Sequence, residues 1–310
     1  MTFEKLEKFN KEAEKENSKE QGVDMECGEN IHEIITCMRH GPKRKGDPNG
    51  PLAEDAWKII KASAEDFSFT QDGKVFTSTE KSGRCQDTGK EVSKKFNWER
   101  IQRGIPALAE LIGNENLEPL IRVNKSLWPD NFESLEDEEK ERITQEVEDK
   151  IASHFLSDDF SELIEKLETK NEKIEIKMPR FEMAVKFAEW VKLCVNASKF
   201  LPSKTEINLV NVSHSFNLIA FLKEVMIFKN EDGKEIKAKD LEAKEFLDKI
   251  GGSIKTAEFF EIDVKRKDKK NFEAFLKFRG ESYNLDFSRI DELAELAKQK
   301  RLERLGQGKN

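Results

Sequence analysis

The chain has 310 residues, of which 36% are hydrophobic and 37% charged, and it carries a net charge of -8. Its 22 Phe and 4 Trp supply enough apolar bulk for a folded core, which excludes a wholly disordered chain. No apolar run approaches the ~18 residues of a membrane span. The negative charge argues against nucleic acid as the main partner, because phosphate-backbone binding needs a basic excess. The charged first twenty residues contain no secretory signal, so we expect a cytoplasmic protein without a membrane partner.

Short apolar runs alternate with amphipathic segments along the chain. Residues 1–28 are a charged leader or helix. The strand candidates, in chain order, are 30–38, 74–79, 119–127, 207–212, 259–264 and 272–278, of which the last two predict a hairpin. Helical spacing of apolar residues is found over 52–60, 88–112, 181–195 and after Ser215. This order predicts an α/β fold, a three-layer α/β/α sandwich with a mostly parallel central sheet.

The composition changes at about residue 131. Residues 131–175 contain no Gly or Pro and are acidic on balance, which predicts a helical cap insertion or, alternatively, an ordinary solvated helix pair. The main domain is expected to span residues 29–290 and to end in a C-terminal hairpin and helix extension. Residues 291–310 are expected to form a charged C-terminal helix or tail.

Two of the four histidines follow buried strand candidates. His40 ends the first strand, within the run Arg39-His40-Gly41, and His214 follows the strand at 207–212. In parallel sheets, ligands bind outside the carboxyl ends of the strands. We therefore expect both histidines at one ligand site. The four cysteines are scattered and form no CxxC pair, so they predict reduced thiols and no metal site.

The run IITCMRHG at residues 34–41 resembles the N-terminal signature of the histidine phosphatase superfamily, which has the phosphoglycerate-mutase-like fold. Two further segments resemble the same family. TSTEKSGRCQDT at 77–88 keeps the family's Arg-x-x-x-Thr spacing, with a loop longer by one or two residues, and EINLVNVSHSFNLIAFL resembles the segment of its second histidine. The family commonly has Gly where this chain has Ser215. The resemblance covers roughly residues 30–225.

The resemblance implies a role for each matching residue. His40 is the nucleophile that becomes phosphorylated, while Arg39, Arg84 and His214 bind the phosphate. His214 is expected to be cationic when a dianion is bound. Arginine forks suit an oxyanion better than a point charge does. Lys43 lies where some acid phosphatases of the superfamily have another Arg, and it is a weaker candidate for phosphate contact.

The leaving group needs a proton donor near His40. Aligning residues 119–127 with the family's corresponding strand nominates Asp130, with Glu110 and Glu118 as competitors. Cys37 and Cys85, which flank the expected site in sequence, are interpreted as packing residues.

The predicted activity is metal-independent and cofactor-independent hydrolysis of a phosphomonoester, on a small molecule or a phosphoprotein. A catalytically inactive binding or scaffold protein on the same fold is the alternative from another class. A mutase is a third interpretation. It is less favoured, because the segment after Gly41 reads Pro-Lys-Arg-Lys and not the Glu-Ser-x-x-Asn of phosphoglycerate mutases.

Overall fold

A nine-stranded sheet runs through the part of the chain that the structure describes. The structure is a computed structural model. It describes residues 30–42, 52–68, 74–79, 83–96, 99–102, 127–157, 180–268 and 271–307. The strands are β1 (Ile31–Arg39), β2 (Lys74–Thr79), β3 (Glu99–Gln102), β4 (Glu206–Ser213), β5 (Met226–Lys229), β6 (Glu235–Lys237), β7 (Phe259–Arg266), β8 (Phe272–Phe278) and β9 (Glu281–Leu285). Their spatial order is β3-β2-β4-β1-β7-β8-β9-β5-β6.

Seven α-helices are described with the sheet. They are α1 (Ala56–Glu65), α2 (Gly83–Phe96), α3 (Asp137–Ser157), α4 (Arg180–Ala197), α5 (Ser215–Val225), α6 (Ala243–Ile250) and α7 (Phe287–Gln307). In the described residues, none of these helices is both long and apolar enough to cross a lipid bilayer.

The four strands β3, β2, β4 and β1 are parallel, and helices cover both of their faces. On one face, Met38 of β1 and Val210 of β4 pack with Ile60 of α1 in one hydrophobic cluster. On the other face, Ile35 of β1 belongs to a larger cluster that includes Phe187 of α4 and residues of α3, α5, α6 and α7. Burial on both faces explains why β1 and β4 read as apolar runs in the sequence. The predicted α/β/α layering is confirmed for this half.

The other five strands are antiparallel, so the sheet as a whole is mixed and not mostly parallel as predicted. β7 pairs with β1 along its whole length, and β8, β9, β5 and β6 follow outward. The hairpin predicted at 259–278 is confirmed as β7 and β8. The turn from β8 into β9 is tight, with Arg279 and Gly280 both at positive φ. Short turns force antiparallel pairing.

Two other predicted elements differ from the structure or lie outside it. The helix predicted over 88–112 is wrong in its bounds, because α2 spans Gly83–Phe96 and β3 follows at Glu99–Gln102. Pairing of β3 with β2 is a tertiary contact that periodicity along the chain does not report. The strand candidate at 119–127 lies outside the described residues except for Leu127.

Both helical segments that the sequence set apart contribute to the main core. Within the predicted insertion 131–175, α3 buries Val147, Phe155 and Leu156, while 158–175 lies outside the described residues. The predicted tail 291–310 lies largely within α7, which buries Leu293. Residues 1–28 lie outside the described residues.

Candidate active site

The candidate site lies where the carboxyl ends of β2, β4 and β1 meet. These strands are neighbours and parallel, so their ends share one edge of the sheet. His40 follows β1, and its backbone N–H continues the ladder by donating to the Ser213 carbonyl at 3.0 Å. His214 follows β4 directly. The rings of His40 and His214 pack edge to face, with centroids 4.9 Å apart.

The His40 ring is held in one tautomer by its own backbone. Its Nδ1 lies 2.8 Å from the carbonyl oxygen of Gly41. A carbonyl only accepts hydrogen bonds, so Nδ1 must carry the proton and Nε2 keeps its lone pair. The side chain is buried, with 5% of the residue exposed. Fixed in this way, Nε2 is the atom of His40 that can act as a nucleophile.

The surroundings of His40 keep it neutral. Burial lowers the pKa of His40 well below its ordinary value of 6.5. The neighbouring His214 and the positive charges of Arg84 and Arg39 lower this pKa further. The hydrogen bond to the Gly41 carbonyl raises it, but this effect is the smallest. The imidazole of His40 is therefore uncharged at neutral pH.

His214 begins helix α5 and is also neutral in the unliganded site. Its carbonyl accepts from the backbone N–H of Asn217 at 3.1 Å, in the first turn of the helix. Burial, followed by the charges of Arg84 and Arg39, lowers the pKa of His214 to about 3. A bound dianion would raise this pKa, because it would offset both positive charges. The Sγ atom of Cys85 lies 3.7 Å from His214 Nε2, so Cys85 contacts the site as well as packing beside it.

Arg39 is held by an acidic residue of helix α3. Its Nη1 and Nη2 donate to the two carboxylate oxygens of Glu148, at 2.8 and 2.9 Å. Nη1 also donates to the carbonyl of Ile254, in the loop before β7. The side chain of Arg39 is 12% exposed. The Nε atom is buried and has no hydrogen-bond partner among the described residues.

Helix α2 brings Arg84 and Thr88 to the site. Thr88 accepts a hydrogen bond from the backbone N–H of Gly41 at 2.9 Å, which ties α2 to the residue after His40. Arg84 is half-buried, and its charge acts on both histidines. The Arg-x-x-x-Thr spacing is one helical turn, so both side chains lie on the same face of α2.

Gly41 is needed for the close approach of helix α1. A Cβ atom at Gly41 would lie 2.8 Å from Cδ1 of the buried Ile60. That distance is shorter than real Cβ contacts, so a larger residue would force the buried Ile60 side chain, or α1 with it, to shift. Close packing against Ile60 therefore explains why a glycine follows His40.

The remaining predicted site residues are not brought to His40 in the described part of the chain. Asp130 is exposed in a turn after Leu127, and no contact between Asp130 and His40 is observed there. Lys43, Glu110 and Glu118 lie outside the described residues. The roles of Asp130 and Lys43 stay predictions.

Glu148 is the site residue that sequence reasoning missed. It lies 109 positions from Arg39 in the chain, within a helix whose many acidic residues look alike in sequence. Only the packing of α3 against α5 and α6 in the folded protein shows which of them reaches the arginine.

The site combines two guanidinium groups with two neutral imidazoles. Such a set suits a ligand with several negatively charged oxygens, because planar guanidinium forks bind oxyanions with fixed geometry. No group of three His, Cys, Asp or Glu side chains that could hold a metal ion occurs in the described ranges. Cys37, Cys85 and Cys194 are buried.

Several solved structures are similar to this chain. A mycobacterial glucosyl-3-phosphoglycerate phosphatase is 12% identical, with a TM-score of 0.42 over 80% of this chain and 98% of that chain. Bacillus stearothermophilus YhfR is 13% identical, with a TM-score of 0.38 over 80% of this chain and 97% of that chain. A phytase of Klebsiella sp ASR1 is 10% identical, with a TM-score of 0.38 over 86% of this chain and 85% of that chain. By name, one of these three similar structures is a phosphatase and another is a phytase. No protein-family model matches the chain, and no curated protein is similar to it.

Proposed function

We propose that this protein hydrolyses phosphomonoesters through a phosphohistidine formed on His40. The observation that carries the proposal is the hydrogen bond from His40 Nδ1 to the Gly41 carbonyl, which leaves the Nε2 lone pair free in a neutral ring. A histidine must be uncharged at its attacking nitrogen to act as a nucleophile. The adjacent guanidinium groups both favour the neutral ring and supply donors for an oxyanion.

In the first step, Nε2 of His40 attacks the phosphorus atom. The N–P bond forms as the ester P–O bond breaks, and the leaving alkoxide takes a proton from a carboxylic acid. Charge on the three equatorial oxygens is stabilised by Arg39 and Arg84, with His214 as a further donor once the dianion has raised its pKa. Asp130 is proposed as the proton donor.

In the second step, water attacks the phosphohistidine. The N–P bond breaks, phosphate leaves, and the water proton passes to the carboxylate that acted as acid in the first step. Glu148 does not fit this role, because both of its oxygens are already occupied in accepting hydrogen bonds from Arg39. The cycle consumes one ester and one water and needs no cofactor.

The test is turnover of an aryl phosphate in the presence of EDTA. Wild type, His40→Ala and His32→Ala are compared, since His32 lies at the other end of the same strand and is bonded to Asp263. We expect His40→Ala to lose at least about a thousandfold in kcat/KM and His32→Ala to stay near wild type. Rapid quenching of the wild type should trap one phosphoryl group on His40.

Two results would contradict the proposal. Activity that survives in His40→Ala would show that another group is the nucleophile. A folded wild type that binds orthovanadate but turns over no phosphomonoester between about pH 5 and pH 8 would instead favour a binding or scaffold protein.

A further inference from the structure

A guanidinium group has three edges, and each of them can bind a partner. In Arg39, other groups of the protein occupy two of the three edges. The end-on edge, formed by Nη1 and Nη2, is taken by both oxygens of Glu148. The second hydrogen of Nη1 is taken by the Ile254 carbonyl. A guanidinium has five N–H donors. The two that remain, on Nε and Nη2, point in the same direction and form the third edge.

This third edge is the part of Arg39 that can bind an oxyanion side-on. Its Nε is buried and has no hydrogen-bond partner in the described part of the chain. Buried donors are almost always paired in folded proteins, so an orphaned one at a candidate site calls for a partner. Arg39 precedes His40 at the end of β1, and its positive charge lowers the pKa of both His40 and His214.

The contact between Glu148 and Arg39 rests on a fixed part of the core. Residues of α3 near Glu148 form hydrogen bonds with the loop that contains Ile254. Asp149 accepts a hydrogen bond from the backbone N–H of Ser253 at 2.7 Å, and Gln145 donates to the Ser253 hydroxyl at 3.0 Å. A Cβ atom at Gly252, which has φ +92, would lie 3.0 Å from the Asp149 carboxylate.

The same loop is held from its other side by the β8–β9 turn. Arg279 donates to the carbonyl of Ser253 at 2.8 Å and forms a two-point ion pair with Glu258 at 2.6 and 2.7 Å. The Glu258 carbonyl in turn accepts from the backbone N–H of Arg39 at 2.8 Å, and Ala257 donates to the His40 carbonyl at 3.2 Å. Helix α3 is therefore tied to the loop that carries Ile254, which itself contacts Arg39.

We propose that Glu148 is a positioning residue that holds Arg39 by its end-on edge, so that its third edge faces the phosphoryl group. The inference rests on the proposed function. It assigns a role to helix α3, whose segment the sequence presents only as an acidic insertion. A guanidinium fixed in advance loses less conformational entropy when it binds an oxyanion than a freely rotating one does.

The test compares Glu148→Gln with Glu146→Gln, a matched control on the same helix. Glu146 is exposed and pairs with Arg142 on its own helix, away from Arg39. The first measurement is hydrogen exchange of the Arg39 Nε–H by NMR, with the signal assigned from its loss in Arg39→Lys. We expect faster exchange in Glu148→Gln and no change in Glu146→Gln. Glu148→Asp keeps the charge and should fall between Gln and wild type, and it replaces Gln if that variant does not fold.

The second measurement is inorganic phosphate affinity together with kcat/KM for the aryl phosphate. We expect Glu148→Gln to lose about 10- to 100-fold in both, and Glu146→Gln to lose neither. In an Arg39→Ala background, the Gln substitution at Glu148 should have no further effect. Additive losses would mean that Glu148 acts by supporting the fold and not through Arg39.

Failure of the inference differs from failure of the proposed function. If wild type is active and Glu148→Gln matches it in exchange, affinity and turnover, the positioning role is overturned and the proposed function stands. A gain of phosphate affinity in Glu148→Gln would also overturn the positioning role, because Glu148 would then compete with the anion. If wild type neither binds phosphate nor turns over the ester, both fall together, whatever the exchange of Arg39 shows.

Discussion

The neutral histidine pair makes the stability of this protein depend on pH, and the size of the effect follows from the site. The pKa of His40 lies well below 6.5 and that of His214 is about 3, whereas both rings regain the ordinary value of 6.5 in the unfolded chain. Below pH 6.5 the unfolded chain therefore binds protons that the folded protein does not. The folded state is favoured above that pH and loses stability as the pH falls.

Each pH unit below 6.5 costs about 1.4 kcal/mol for each histidine that stays neutral. Lowering the pH from 6.5 to 5 thus reduces the free energy of unfolding by about 2 kcal/mol through the buried His40. His214 is partly exposed, so water screens part of its share. We expect a combined loss between about 2 and 4 kcal/mol.

Glu33 acts in the opposite direction over the same pH range. Burial raises the pKa of Glu33 to about 8, so its carboxyl stays protonated in the folded protein while the unfolded chain ionises above 4.5. Its contribution to stability is present at low pH and is lost as the pH rises toward 8. The histidine share must therefore be measured as a difference between variants and not from the wild type alone.

The assay is urea unfolding at constant ionic strength, followed by tryptophan fluorescence, at several pH values from 5 to 7. The pH profile of the free energy of unfolding is compared between wild type, His40→Gln and the double variant that adds His214→Gln. The free energy of unfolding should fall by about 2 kcal/mol less in His40→Gln than in wild type as the pH is lowered across this range. This difference does not depend on the stability of the variant at pH 7. Parallel profiles for wild type and His40→Gln would falsify the neutral ring, and with it the case for His40 as a nucleophile.

Three further predictions concern the framework around the site. Gly89→Ala should lower the free energy of unfolding by about 1 to 2 kcal/mol despite its better helix propensity, because the new Cβ would lie 2.3 Å from Cγ2 of the buried Thr79; equal urea midpoints would show that α2 moves aside freely. Glu33→Gln should raise that free energy at pH 8 by roughly 1 to 3 kcal/mol and leave it unchanged at pH 5; a loss at pH 8 would mean that Glu33 is ionised in the folded protein. Arg279→Gln should cost about 2 kcal/mol and speed amide exchange in the loop 250–258, because five hydrogen bonds from Arg279 are lost; unchanged loop exchange would contradict that.

The strands and helices that begin or end near the candidate site can be predicted from the local sequence. The predicted bounds of β1, β2 and β4 lie within one residue of the observed ends. β1 and β4 are buried on both faces and read as apolar runs, whereas β2, KVFTST, is indicated by the turn residues Asp72-Gly73 before it. The positions of His40 and His214 after two of those runs followed directly. The helix after Ser215 is predicted equally well, since its apolar residues recur at helical spacing.

Pairing between strands that are distant in the chain cannot be predicted from the local sequence in the same way. The hairpin of β7 and β8 was predicted, but its place beside β1 was not, because any exposed strand edge offers the same backbone donors and acceptors. The sheet is mixed for this reason. The bounds of α2 and the existence of β3 also depended on tertiary pairing.

The sequence by itself determined the α/β class, the strand-end histidines and the Arg39 next to His40, since each depends on residue order over a short span. Only the tertiary structure decided that Glu148 holds Arg39, that Thr88 receives the Gly41 amide, and that the loop before β7 supports both. These contacts join positions far apart in the chain. Their geometry is set by packing of whole elements, which no local pattern of charge or hydropathy encodes.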